Sequence, residues 1–343
     1  MRYNKSMTKS TKSEFLTGVN LGGWLVLEKW MTPSLFKGTD AVDEFTFMQT
    51  AGSAEKIEGH RKGFITQADF AWLANNGVNA VRIPVGYWLF DGDMPYTPAV
   101  KHLDWAMKMA NAYNIKVLID LHGAKGSQNG RDHSGRIGKS MWYKSVAYRK
   151  QTIDVLEKIA RRYRDEPSLW GIELLNEPKF GLFHFKLRHF HHQAYRRLVS
   201  IVRPETVIVF HDAFTPRLMS GSLPAVNRYP VIMDVHWYQF ASIWQKWQKL
   251  ARYFAKVRRR AALLRKLQRL QPVVIGEWSV VLSGEILKGL SKKERLEAFR
   301  RHGEQQLQTY SHSAGWFYWT YKTEGRGIWH FRSLIEDGVI ILK

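Results

Sequence analysis

The chain contains no cysteine. That excludes disulfides, thiolate metal sites and a cysteine nucleophile, and frees the fold from any need for an oxidising compartment. It is also short of acid. Asp and Glu number 30 against 52 Lys and Arg in 343 residues, a formal net charge of +22. Such a balance favours anionic surfaces or acidic polymers and says little about fold. No stretch approaches the roughly 18 uninterrupted apolar residues of a membrane span. The opening MRYNKSMTKSTKSEF is basic and polar, without the apolar core of a secretory signal. The expectation is a cytoplasmic protein with a flexible basic tail over residues 1–14, peripheral membrane association remaining open. No GxGxxG follows a strand-like run, HExxH is absent, and no low-complexity linker divides the chain.

What is present is apolar and aromatic. Hydrophobic residues make up 45%, enough for a large core, and there are 14 Trp, 14 Tyr and 18 Phe. Eight strand-like runs occur in order, at 15–25, 78–85, 115–123, 169–178, 206–214, 231–238, 272–279 and 315–322. Most are nearly continuous apolar runs, the pattern of parallel strands covered on both faces. Helix-period segments lie between them at 66–77, 100–114, 145–167 and 292–312. Strands alternating with helices point to a single (β/α)8 TIM barrel over residues 15–343 with elaborated loops. A doubly wound sheet is the competing architecture.

In such a barrel the reactive groups gather where the strands end. Those ends carry Arg82, His122, Asn176 with Glu177, His236 with Tyr238, Glu277 and Trp319. Two glutamates facing each other across a barrel mouth suit glycoside hydrolysis. One protonates the leaving oxygen; the other attacks the anomeric carbon or activates water. The two must titrate differently, and Arg82 beside one of them would keep it ionised. Two histidines with a glutamate are also compatible with a metal site, but no close ligand spacing supports one, and neither metal nor cofactor is expected.

GVNLGGWLVLEKWMTPSLF (18–36), VRIPVGYW (81–88), IDLHGAKGSQNG (119–130), GIELLNEP (171–178), VFHDAF (209–214), GEWS (276–279) and GWFYWTYKTE (315–324) together resemble the exo-β-1,3-glucanases of glycoside hydrolase family 5. The resemblance runs over roughly residues 15 to 335. It implies a retaining enzyme that releases glucose from β-glucans. Glu177 would be the acid/base and Glu277 the nucleophile. Asn176 would bind the sugar 2-hydroxyl, Arg82 would align Glu277, and Tyr238 would support it. His122 and His236 would line the reacting subsite, with Trp319 as its platform. Glu28 and Asp132 match positions that grip the terminal glucose, and Trp30 lies beside them. The chain departs from the family at Lys125, where a proline is usual, at Arg131, where an aromatic clamps the next sugar, and at Phe240, shifted by one from the other clamp. A transglycosylase, or a glucosidase for a small or lipid-linked β-glucoside, is the alternative. A non-catalytic carbohydrate-binding scaffold is a weaker reading.

Residues 244–270 hold ten Lys or Arg and no acid, with an apolar stripe at helical spacing. The plain expectation is an outer barrel helix. The sharper one is a surface for anionic membrane or an acidic polymer. No nucleic-acid recognition motif accompanies the charge.

Overall fold

The apolar runs become strands that close on themselves. The computed structural model describes residues 14–91, 93–181, 184–224, 229–239 and 250–342. Its strands are β1 (Leu16–Asn20), β2 (Ala80–Gly86), β3 (Lys116–Gly123), β4 (Leu169–Glu173), β5 (Val207–His211), β6 (Val231–His236), β7 (Val273–Trp278) and β8 (Gly315–Tyr318). Each pairs in parallel with its sequence neighbour, and β1 pairs with β8 to complete a closed barrel. The expected helices surround it at Gln67–Asn75, Val100–Ala112, Val146–Tyr163 and Lys292–Tyr310, with His184–Leu198 and Leu250–Leu267 in addition. The architecture is the (β/α)8 barrel, not the doubly wound sheet. The basic tail over 1–14 lies outside the described residues except for Glu14.

The strands are less uniform than their apolar character suggests. Side chains two apart on a strand share a face. Ala80 and Arg82, Leu118 and Asp120, Val209 and His211, and Ile232 and Asp234 are such pairs. Each apolar member joins Leu16, Val274 and Phe317 in one buried cluster drawn from strands all round the barrel. That cluster plugs the interior. The polar members form the next level up, and all four are fully buried. The barrel interior is therefore an apolar floor beneath a polar storey. A separate and larger apolar core lies between strands and helices.

The helix Leu250–Leu267 follows the plain expectation for the basic segment. Phe254, Val257 and Leu264 are buried, while Arg258 and Arg259 are exposed. Arg260 departs from the stripe. Its guanidinium lies 5.1 Å from the Trp237 ring and donates to the Tyr238 carbonyl at 3.3 Å. It belongs to the barrel rather than to a free cationic face. Residues 244–249 lie outside the described residues, as does Phe240. Among the described residues no helix is long and apolar enough to cross a membrane.

Gly276 shows how tightly the polar storey is built. Its N–H donates to Asp234 Oδ1 at 2.6 Å, and a Cβ there would stand 1.9 Å from Asp234 Oδ2. Gly276→Ala is expected to lower stability by about 1–3 kcal/mol through overpacking. Gly59, inside the helix Ser53–Gly63, has nothing within 4 Å of an added Cβ. Gly59→Ala is expected to raise stability by about 0.5–1 kcal/mol. Urea unfolding of both variants checks the contrast.

Candidate active site

Arg82 organises the upper barrel. It sits third in β2 rather than near the strand end, so its guanidinium is buried below the mouth and fully enclosed. It meets Glu173 at 2.8 Å, Asp120 at 3.0 Å and Glu277 at 3.1 Å, with Asp234 at 4.0 Å. It also donates to Asn20 Oδ1 at 2.9 Å and Asn176 Oδ1 at 2.8 Å. A single fork of donors thus ties together β1, β2, β3, β4, β6 and β7. The surrounding carboxylates hold Arg82 firmly in its charged form despite burial.

The two glutamates converge above it. Glu277 lies within β7, next to its last residue. Its Oε1 accepts from Arg82 and its Oε2 accepts from the Tyr238 hydroxyl at 2.7 Å, so both oxygens are fixed. Glu177 lies beyond the strand expected to carry it, since β4 ends at Glu173. Residues 174–177 form a turn in which Glu177 takes a φ of +39°, a left-handed conformation unusual for a residue before proline. Such backbone costs on the order of 1–3 kcal/mol and persists only where the surroundings enforce it. The loop after β3 does so. Gln128 donates to the Asn176 carbonyl at 3.0 Å, and Asn129 donates to the Glu177 carbonyl at 3.1 Å. The turn-rich loop from 126 to 135 is therefore a clamp on the Glu177 backbone.

Histidines wire the site together. His236 Nδ1 donates to Glu177 Oε1 at 2.7 Å and stands 3.4 Å from Glu277 Oε2; its Nε2 faces Asp234 Oδ2 at 3.3 Å. Despite burial, these carboxylates hold the imidazole charged well above its ordinary range. Buried like the other carboxylates, Glu177 is nonetheless held far below its usual value by His236 and by His133. Burial pushes the Glu277 carboxyl up, with Glu177 adding to the effect and His236 and Arg82 opposing it. The free site thus does not hold Glu177 neutral, and Glu277 is the carboxyl whose ionisation burial opposes. The cause is geometric, because His236 lies closer to Glu177 and carries the proton for it. His122 donates from Nδ1 to Asp120 at 2.6 Å and stacks on Trp319, ring centres 5.6 Å apart. Arg82 occupies the Asn176 oxygen, which turns the Asn176 amide nitrogen towards His122 Nε2 at 3.3 Å.

These groups floor a cavity of about 670 Å³, lined by Glu28, Trp30, His122, Asn176, Glu177, Tyr238, Glu277 and Trp319. Trp30 donates from Nε1 to Glu28 Oε2 at 2.8 Å. Burial and the nearby Asp132 push the Glu28 carboxyl well up. Asp132 itself stands behind the lining, and Arg82 and His236 lie beneath it. Four contributors were not legible as site residues. His133 faces Glu177 Oε2 at 3.3 Å; Phe214 and Trp329 line the cavity; His211 packs against His236 with ring centres 4.4 Å apart. Phe214 was hidden in a strand-like run, where consecutive left-handed residues, Ala213 and Phe214, turn the chain.

Two groups could approach a cation, Glu177 with His211 and His236, and Glu173 with Asp234 and His236. Glu173 is bound to Arg82 and His236 is bound on both nitrogens; His211 Nδ1 accepts from the Ala213 N–H at 2.9 Å, and its Nε2 has no hydrogen-bond partner among the described residues.

Residues 42–325 match the family model for cellulase, glycosyl hydrolase family 5. A probable glucan 1,3-beta-glucosidase A of Emericella nidulans is 36% identical over 96% of this chain and 91% of its own length. A glucan 1,3-beta-glucosidase of Blumeria graminis is 32% identical over 94% of this chain and 86% of its own. Among solved structures, a rutinosidase from Aspergillus niger shares the fold, with a TM-score of 0.82 at 21% identity, covering 96% of this chain and 98% of that one.

Removing the central cation should be severe. Arg82→Met would leave buried carboxylates uncompensated, and the expected loss is about 3–5 kcal/mol at neutral pH. The sign with pH follows from Glu173, whose carboxyl burial already raises and Arg82 lowers. Without Arg82 it rises further, so the gap to wild type opens as pH climbs through the wild-type value, itself well above the usual carboxylate range, and closes below it. Urea unfolding at about pH 7 and about pH 5 should show the wild-type-to-variant gap narrowing at the lower pH.

Proposed function

The chain belongs to the cellulase family, glycosyl hydrolase family 5, and is a glycoside hydrolase; on that premise we propose that it is a retaining exo-acting β-glucosidase for β-glucans of the 1,3-linked kind. The observation that carries the mechanism is that Glu177 and Glu277 both reach one nitrogen, His236 Nδ1, at 2.7 and 3.4 Å. Their near oxygens are separated by no more than the sum of those distances. A shared hydrogen-bonding nitrogen supports the close carboxyl pair of a retaining enzyme, roughly 5–5.5 Å apart, over the roughly 6.5–9.5 Å pair of an inverting one. Direct attack by one carboxylate fits the space.

Glu277 is the nucleophile. Arg82 and Tyr238 hold its two oxygens, so one lone pair can be aimed at the anomeric carbon of a glucose resting on Trp319. Glu177 delivers a proton to the departing glycosidic oxygen, leaving a glycosyl-enzyme on Glu277, and then takes a proton from the water that hydrolyses it. In the free site that proton rests on His236. The 2.7 Å hydrogen bond is the line along which Glu177 receives it. The Asn176 amide, oriented by Arg82, is placed to donate to the sugar hydroxyl beside the anomeric carbon, where such bonds tighten in the transition state. Glu28, hydrogen-bonded to Trp30, grips the non-reducing end, the arrangement an exo-acting enzyme needs. The names of the curated relatives support 1,3-linked glucan as the substrate class.

Laminarin oligosaccharides should lose glucose one unit at a time, and proton NMR should show the β-anomer first. Initial release of the α-anomer would exclude the glycosyl-enzyme. Glu177→Gln is expected to slow oligosaccharide cleavage by about 10²–10⁴-fold. For a nitrophenyl β-glucoside kcat/KM, which reads the first step alone, should fall much less, because nitrophenolate departs without a proton. Equal loss on both substrates would remove Glu177 as the acid.

The kcat/KM profile should be bell-shaped. Its acidic limb follows ionisation of Glu277, above the usual carboxylate range because burial raises it. Its alkaline limb follows loss of the proton shared by His236 and Glu177, above the ordinary imidazole value of about 6.5. In His236→Asn only Glu177 can hold that proton, so the alkaline limb should move to lower pH. An unmoved limb takes His236 out of the proton path.

A further inference from the structure

The cavity divides by strand order. Glu28 and Trp30 follow β1, Glu277 belongs to β7, and Trp319 and Trp329 follow β8. These neighbours form the nucleophile half. Arg131 follows β3, Glu177 follows β4 and Phe214 follows β5. These form the other half, and a leaving oxygen must lie on that side to meet its acid. Arg131 and Phe214 therefore flank Glu177 in the space the departing group occupies.

Arg131 is chemically out of place in a neutral-sugar cleft. It is the one Lys or Arg among the described lining residues, and the carboxylates that share the lining are Glu28, Glu177 and Glu277. Glu277 is bound to Arg82, and Glu177 to His236. Among the described residues no carboxylate pairs with the exposed guanidinium of Arg131. Its charge is felt within the site, where it opposes protonation of His133 beside Glu177. The same loop carries cations on its other face. Lys125, Arg136 and Lys139 line a second cavity of about 690 Å³ behind it. There Asp93 pairs with Lys125 at 3.0 Å, and Arg136 lies 3.9 Å from the Phe45 ring. At the leaving-group side of the site the cation is Arg131, while the glucose side is lined by Glu28 and Glu277.

We propose that the leaving-group half of the cavity is built for an anionic aglycone, a group bearing a carboxylate or phosphate that Arg131 binds. The inference rests on the glycosidase reading above and deepens it by naming the class of leaving group. A guanidinium presents paired donors that match a carboxylate or phosphate edge. The negative charge cannot lie deeper, because Glu28, Glu177 and Glu277 would repel it there. It belongs at the rim, beyond the scissile oxygen, with Phe214 offering an apolar face on the other side of Glu177.

The test uses β-glucosides of closely matched phenols, so that leaving-group acidity stays nearly constant. One carries 3-(4-hydroxyphenyl)propionate, the second its neutral methylamide, and the third 2-(4-hydroxyphenyl)ethyl phosphate. Expected is a kcat/KM for the charged glucosides about two- to fivefold above the amide, the scale of one partly exposed ion pair. The advantage should fall as ionic strength rises from about 0.05 to about 0.5 M. In Arg131→Gln the charged-to-neutral ratio should drop to about one, and Arg131→Lys should retain part of it. A larger advantage for the phosphate than for the propionate marks phosphate as the source; the reverse marks a carboxylate. A ratio near one in the wild type, or one unchanged in Arg131→Gln, overturns the proposal. Failure to cleave any of the three, or the nitrophenyl glucoside, overturns the glycosidase reading and the proposal with it.

Discussion

One buried guanidinium sets the terms for the rest of the molecule. Arg82 is fully enclosed, and its carboxylate partners stand at 2.8, 3.0 and 3.1 Å. Burying a charge is costly unless its partners surround it, and each partner is equally costly without the cation. The upper barrel can therefore exist only with the whole set in place. Asn20, Asp120, Glu173, Asn176 and Glu277 arrive on different strands, so their convergence on Arg82 fixes strand register as well as side-chain position. The apolar floor drives closure of the barrel. The polar storey dictates which residues face one another once it has closed.

The same arithmetic explains where the protons sit. Asp120, Glu173, Asp234, Glu177 and Glu277 are all buried around two cations, Arg82 and His236. So many carboxylates cannot all stay at their ordinary values. Despite burial, Asp234 and Glu177, both hydrogen-bonded to His236, drop, Asp234 to about 2, while Glu173, though 2.8 Å from Arg82, is driven up by burial and by its acidic neighbours. Glu277 is caught between these pressures, and its hydrogen bonds to Arg82 and Tyr238 fix both of its oxygens. His236, touching Glu177, Glu277 and Asp234 at once, is the group through which the catalytic pair exchanges charge with the strand beneath.

Much of this was legible in the sequence. The eight apolar runs marked eight strands because parallel strands under helices need little surface polarity, and the Glu177 and Glu277 motifs stand out where those runs stop. The supporting acids were harder to see. Asp120, Glu173 and Asp234 lie inside runs that read as continuous and apolar, on the inward faces of their strands. Only the closed barrel shows that these inward positions share a storey. Arg82 looked like a strand-end residue because its function is at the mouth, yet its length lets it act from two levels down. His133 lay in a loop whose composition signalled only turns, and its role depends on Gln128 and Asn129 clamping the Glu177 backbone. The charge order of the two glutamates was out of reach too, since it turns on which carboxylate lies nearer a single histidine nitrogen.

The division between a fixed floor and an adjustable rim has a consequence for specificity. Every group around Arg82 is coupled to several buried charges, so a change there threatens fold and chemistry together. Arg131 forms an ion pair with none of them among the described residues. It sits on an exposed loop, and replacing it leaves no buried charge without a partner. A change of leaving group can therefore be made at Arg131, Phe214 and their neighbours without disturbing the proton path or the nucleophile. The glucose half is tied to the barrel through Trp319 stacked on His122, and His122 bound to Asp120 and so to Arg82. The sugar that is cleaved is held by the constraint that holds the fold; the group that departs is held only by the loop.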